Sequence, residues 1–369
     1  MTAGERGSIS SSNGSSGLRI AAELAASVVA ALIVGAVLIL IAGANPVTGY
    51  SALFMGAFGS VHSFAEVLVK ATPLVLAGLG VALAFKAGYW NIGAEGQLLM
   101  GALGAVWVGL NVSGWPMPVA LPVMVVVGFA AGAAWGLIPG ILQARLGVSE
   151  IITTIMLNYV AFLLVNFFVT GPMKEAEGFM PQTDVIAASA VLPRLLMPTR
   201  LHAGILIALV TAIVIYWLMN RSTFGFRIRV VGASPEAAKY AGISVSQTWI
   251  VISAVSGGLA GLAGMVEVSG VHQRLLEHIS GGYGYTAIMV ALLGWLHPLG
   301  VVLASVLFAA MRVGADAMQR ATGVPVSLVY VIQALIILFV LGRGAIRHFR
   351  WSRLGKWLIP GKMHGRFVD

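Results

Sequence analysis

A chain that repeats long apolar runs from end to end can fold in only one kind of solvent. Such runs fall near 20–43, 64–85, 93–112, 119–142, 150–170, 201–219, 247–268, 283–296, 298–320 and 325–342, with short polar breaks between them. A helix needs about 20 apolar residues to cross the ~30 Å hydrocarbon core of a bilayer. In lipid each backbone N–H and C=O must be satisfied within the structure, which helices achieve by themselves. Only 9% of the 369 residues are charged and 59% are hydrophobic, against about 25% charged in soluble domains. A water-soluble fold could not hide that surface. The expected fold class is all-α: a polytopic membrane protein of about ten transmembrane helices.

The ends and loops set the expected organisation. Residues 1–19 are Ser/Gly-rich and read as a disordered cytoplasmic N-terminus, 20–343 as the transmembrane domain, and 344–369 as a basic cytoplasmic tail. Ala42-Gly43-Ala44 mimics a cleavage site, but the run before it exceeds a signal-peptide core and reads as an uncleaved first helix. Arg221, Arg227, Arg229 and Lys239 crowd one loop, 220–246, and Arg343, Arg347, Arg350, Arg353, Lys356, Lys362 and Arg366 fill the tail. Basic residues accumulate in cytoplasmic loops, so both termini are expected inside and 171–200 outside, as an ordered loop. The same rule explains the net charge of +9 without a nucleic-acid partner. The absence of Cys excludes disulfides and thiol chemistry.

Two segments break the apolar pattern at membrane depth. One runs from Lys86 through Asn91, Glu95 and Gln97; the other is the short run 283–294, closed by His297-Pro298. Non-helical backbone at this depth is tolerated only where protein buries it or it lines a cavity. Leu76-Ala77-Gly78-Leu79-Gly80 precedes the first break and Leu259-Ala260-Gly261-Leu262-Ala263-Gly264 the second. An inverted repeat with a broken helix at a matching place in each half is expected.

Gly128, Gly132, Gly136 and Gly140 form a smooth stripe on one helix face, as do Gly257 and Gly261, a pattern for close helix packing. Gly282 to Ala287 imitates a G-x-G-x-x-A dinucleotide motif, but no strand precedes it, and no Walker-A sequence occurs. ATP-driven work therefore needs a separate ATPase. No metal-ligand spacing and no nucleophile–base set is found. Arg312 and Asp316, one turn apart, are expected to pair; Lys70 and Glu267 are a second candidate pair. Glu95 either lines a pathway or satisfies N–H groups where a helix restarts. In the loop, Ser234 as N-cap, Pro235 in the first turn and Gly242 at the end predict a short helix that presents Ala237, Ala238 and Tyr240 to a partner.

With these residues in place, the chain resembles the permease subunits of bacterial ABC importers for nucleosides, related to ribose-type sugar permeases. The resemblance runs over roughly 40–345 through residues 85–97, Ile151 to Tyr159, the helix from Pro235, and Gly282-Tyr283-Gly284-Tyr285. Trp90 stands where Phe or Leu is commoner. The resemblance implies a ten-helix importer fold in the bacterial plasma membrane. Its implied partners are an ABC ATPase that binds the ATP, a second permease (homologous or identical) and an extracytoplasmic substrate-binding protein. No cofactor is expected in this chain. Pro235, Glu236, Ala237, Ala238, Lys239, Tyr240, Ala241, Gly242 and Ile243 would form the coupling helix on the ATPase. Asn91, Glu95, Gln97, Tyr283 and Tyr285 would line the pathway. The alternatives are a sugar-importing permease of the same kind and an ion-coupled secondary transporter, for which Glu95 is the one plausible coupling carboxylate.

Overall fold

A computed structural model of the chain describes residues 12–176 and 178–348, with side chains from 26 to 342 apart from 177. The described residues form α-helices joined by turns and by one long segment, 171–203, and no strand; two isolated bridges, Gln182 to Leu276 and Arg194 to His202, occur. Packing divides the chain into two units. The smaller contains α1 (Ser12–Ile41) and nearly all of α13 (Val326–His348). Helix α1 begins at Ser12, inside the stretch expected to be disordered; 1–11 and the tail beyond 348 lie outside the described residues.

The larger unit holds α2 (Pro46–Phe58), α3 (Val61–Lys86), α4 (Ala94–Asn111), α5 (Met117–Leu146), α6 (Glu150–Thr170), α7 (Gly204–Arg221), α8 (Thr223–Ala233), α9 (Pro235–Tyr240), α10 (Val245–Val266), α11 (Tyr283–Leu293) and α12 (Pro298–Thr322). Every expected apolar run falls on a helix. Among the described residues, six helices are long and apolar enough to cross a membrane, or seven if 26–41 and α2 count as one interrupted span. Of the other expected runs, 283–296 forms α11, which at 11 residues is too short to cross alone. Helices α2 and α8 are additional to the sequence reading.

Helices α3 and α10 form the centre. They run antiparallel: a Cβ on Gly80 would overlap the Ser256 carbonyl, while Trp249 Nε1 donates to the Ala87 carbonyl at 3.2 Å. Helix α10 lies against α4 and α5 of the first half, and α3 against α11 and α12 of the second. The expected inverted repeat would give such an exchange of packing partners. The two glycine stripes meet face to face. A Cβ on Gly132 would overlap the Gly257 carbonyl, one on Gly261 the Gly128 carbonyl, and one on Gly101 the backbone of Gly261. No other residue lets backbones approach this closely.

Segment 171–203 is ordered by its own contacts. Arg200 grips Glu66 of α3 through Nε (2.9 Å) and a terminal nitrogen (2.7 Å), and Arg274 reaches Glu175 at 3.3 Å. The expected ion pair of Arg312 with Asp316 does not form. Arg312 lies over the ring of Tyr283, 4.6 Å from its centroid, and Asp316 is exposed one turn on. Glu267 likewise approaches His272 Nε2 at 3.4 Å and acts on Lys70 only through space. Here α10 continues as a π-helix over Glu267–His272, with Gln273 left-handed at φ 55°.

Candidate functional site

The first break begins where α3 ends at Lys86. Gly88 takes a positive φ of 71° that favours glycine, and the chain turns back to restart as α4 at Ala94. A restarting helix leaves its first N–H groups without partners, and side chains supply them. Asn91 Oδ1 accepts from the Gly93 N–H at 3.0 Å, and Asn158 Oδ1, from α6, accepts from the Gly96 N–H at 2.8 Å. Asn158 Nδ2 then donates to the Ile92 carbonyl at 3.0 Å. Asn91 and Gln97 exchange amide bonds, Nδ2 to Oε1 at 2.9 Å and Nε2 to Oδ1 at 3.0 Å, and Asn91 Nδ2 also donates to Ser256 Oγ at 2.8 Å. This network ties the break to α10 and α6.

Glu95, in the first turn of α4, reaches across to the second break. Its Oε2 accepts from the Gly284 N–H at 2.7 Å, and its Oε1 accepts from the Ser280 hydroxyl. The carboxylate therefore sits on the N-terminus of α11, where the helix dipole favours negative charge. A Cβ on Gly284 would overlap the backbone of Glu95, so the starts of α4 and α11 touch. Glu95 does satisfy a restarting helix, but the helix of the other half.

The five residues expected along the pathway divide by burial. Asn91, Gln97 and Tyr283 are buried within protein; Glu95, only 7% exposed, and Tyr285, 47% exposed, border a groove. The groove encloses about 350 Å³ and is open on part of its boundary, within the ~300–1,000 Å³ usual for small-molecule sites. Its walls are Glu95, Leu99, Asn158, Tyr159, Phe162, His278, Tyr285 and the backbone of 280–282. Asn158, Phe162 and His278 were not singled out as site residues from sequence. The sole available signal for them was their proximity in sequence to the Ile151-to-Tyr159 stretch and to the second break. Among the described residues, no group of three His, Asp or Glu is placed to hold a metal ion.

Outside the bundle, α9 forms as its sequence predicts, with Ser234 Oγ accepting from the Ala237 N–H at 3.2 Å. It ends at Tyr240, and Ala241, Gly242 (φ 74°) and Ile243 make the turn that follows. Its faces differ from expectation. Ala238 is buried in a small apolar cluster with Val231 and Val245. The outward face carries Pro235, Glu236, Ala237, Lys239 and Tyr240, the last 95% exposed. Beside it a larger recess, about 490 Å³, is lined by Phe224, Arg227, residues 241–244, Gln247, Thr248 and Val251.

Broken helices that meet beside an open groove in an all-helical bundle of apolar, membrane-length helices point to a membrane transport subunit. The chain belongs to the family described as branched-chain amino acid transport system / permease component, which matches residues 63–341, and it is a permease subunit of an ABC transporter. It is 40% identical to the guanosine ABC transporter permease protein NupP of Bacillus subtilis, over 87% of this chain and 92% of the relative. Against the glucose ABC transporter permease protein TsgB13 of Haloferax volcanii the identity is 40%, over 88% and 87% of the two chains. It is 37% identical to the nucleoside ABC transporter permease protein NupB of Lactococcus lactis, over 85% and 88%. Each of these organisms also has a second, more distant permease relative, at 26 to 28% identity. No solved structure matches the chain.

Proposed function

We propose that this chain forms one half of the translocation pathway of an ABC importer for nucleosides, in the bacterial plasma membrane with both termini cytoplasmic. The observation that carries the reading is the Glu95 bridge between the two broken helices, beside an open groove. In this reading the groove is half of an enclosed route, and a second permease supplies the other half. A different chain is the favoured partner; its support is that each of the three organisms compared has both a relative near 40% identity and a second below 30%. A separate ATPase binds the ATP and docks on the outward face of α9 and the adjoining recess. A substrate-binding protein delivers cargo at the opposite face, where 171–203 lies. Asn91, Gln97 and Tyr283 hold the breaks in shape, and Glu95 and Tyr285 meet the cargo.

Nucleosides are the preferred cargo because two of the three close relatives are named for them. The third is named for glucose, so a hexose is the second reading. The test is uptake into vesicles that hold the complete complex. Guanosine uptake that needs both ATP and the binding protein, undiminished by excess glucose, is expected. Glucose uptake without guanosine uptake would replace the cargo, and uptake without the ATPase would remove the importer reading.

A further inference from the structure

One face of α6 fastens both breaks. Asn158, Phe162 and Asn166 lie four residues apart, hence on one side of the helix. Asn158 holds Ile92 and Gly96 of the first break. Asn166 Nδ2 donates to Glu277 Oε1 in the second break. Between them, the ring of Phe162 stacks on the imidazole of His278, centroids 5.3 Å apart and planes 25° from parallel. Phe162 is only partly buried and His278 is exposed, so this pair forms a flat wall of the groove with neither ring sealed in the core. The residue before His278, Glu277, is held by Asn166, so the chain that carries the imidazole is anchored to the same face of α6. Glu95 stands in the same groove, 7% exposed, with each carboxylate oxygen already accepting one bond. A carboxylate has about four acceptor positions, so about two remain for a ligand.

We propose that the groove is a base-stacking subsite, in which the planar heterocycle of a nucleoside lies against the Phe162–His278 pair with its N–H edge toward Glu95. This rests on the nucleoside reading given above. It goes further in assigning the base, and not the sugar, as the part gripped in the permease. Flat rings recognise bases tolerantly through stacking, and a carboxylate selects bases that carry N–H donors on their edge. Tyr285, 47% exposed, adds a further aromatic ring to the groove lining.

The test uses the complete complex in vesicles with labelled guanosine, comparing Phe162→Leu with Phe162→Trp. Leucine keeps the apolar bulk and removes the ring; tryptophan keeps a ring. Guanosine uptake is expected to fall about tenfold in Phe162→Leu, the scale of one lost stacking contact, and to return to within about twofold in Phe162→Trp. The preference for guanosine over a pyrimidine nucleoside should narrow in Phe162→Leu, since the larger purine loses more overlap. Wild-type uptake in Phe162→Leu, or a Phe162→Trp complex as slow as Phe162→Leu, would overturn the subsite while leaving the nucleoside reading intact. A wild-type complex that carries glucose and no guanosine removes the nucleoside reading itself, before either variant is measured.

Discussion

Glu95 presents the clearest question at the scale of single residues, because two jobs meet on one carboxylate. If its charge serves the end of α11, Glu95→Gln keeps one acceptor and loses the dipole interaction, at a cost of about 1 kcal/mol. Glu95→Ala strands the Gly284 N–H and the Ser280 hydroxyl, at about 2 kcal/mol or more. Melting of the assembled complex, followed by its loss of a monodisperse elution peak, should rank the wild type above Gln and Gln above Ala. A Gln variant that melts higher than the wild type while failing in uptake would mean that the buried charge is kept for cargo at the expense of stability. The sequence offered capping as one reading of Glu95, since an acid in a helix's first turn is a local signal. It did not reveal that the capped helix lies 189 positions further along. That pairing depends on how two halves fold together, and no local pattern encodes it. Asn158 illustrates the same limit: an Asn on an apolar helix reads as isolated until the break it serves is packed against it.

Among the elements, α9 separates what is legible from what is not. Its start follows from Ser234 and Pro235, while it ends at Tyr240, short of the expected Ile243, and its inward face depends on Val231 and Val245, which belong to neighbouring helices. The consequence for experiment is direct. Ala238→Glu buries an unpaired charge and should cost several kcal/mol, seen as poor yield of the permease itself. Tyr240→Ala removes an exposed side chain and should leave insertion normal while weakening ATPase capture roughly thirtyfold, as loss of a ~2 kcal/mol interface anchor does. Titrating tagged ATPase onto detergent-solubilised permease measures this, and unchanged capture in Tyr240→Ala would exclude that side chain from the contact. The ten apolar runs were readable because length and hydropathy are strong signals. Helices α2 and α8 were not: α2 is apolar but has only 13 residues, short of a span, and arginines dilute the apolar pattern of α8.

In the larger unit as a whole, the α5–α10 seam is backbone on backbone. Any Cβ introduced there must push two helices apart, so Gly132→Val should cost about 3 kcal/mol or more through overpacking, visible as loss of folded permease in membranes. Gly147, whose surroundings are open, offers the control for added bulk alone: a Cβ there meets nothing within 4 Å. Its positive φ of 67° makes Gly147→Asn the suitable exchange, and near-normal yield is expected. The stripes were legible in advance as packing surfaces; that they face one another became clear only once α10 was placed. This seam also has a meaning for heredity. Every codon for glycine begins with two guanines, and changing either one specifies a residue with a Cβ or ends the chain. Along this contact the genetic code therefore provides no gentle neighbour. Drift in the gene should pass through third positions there, while first and second positions stay fixed.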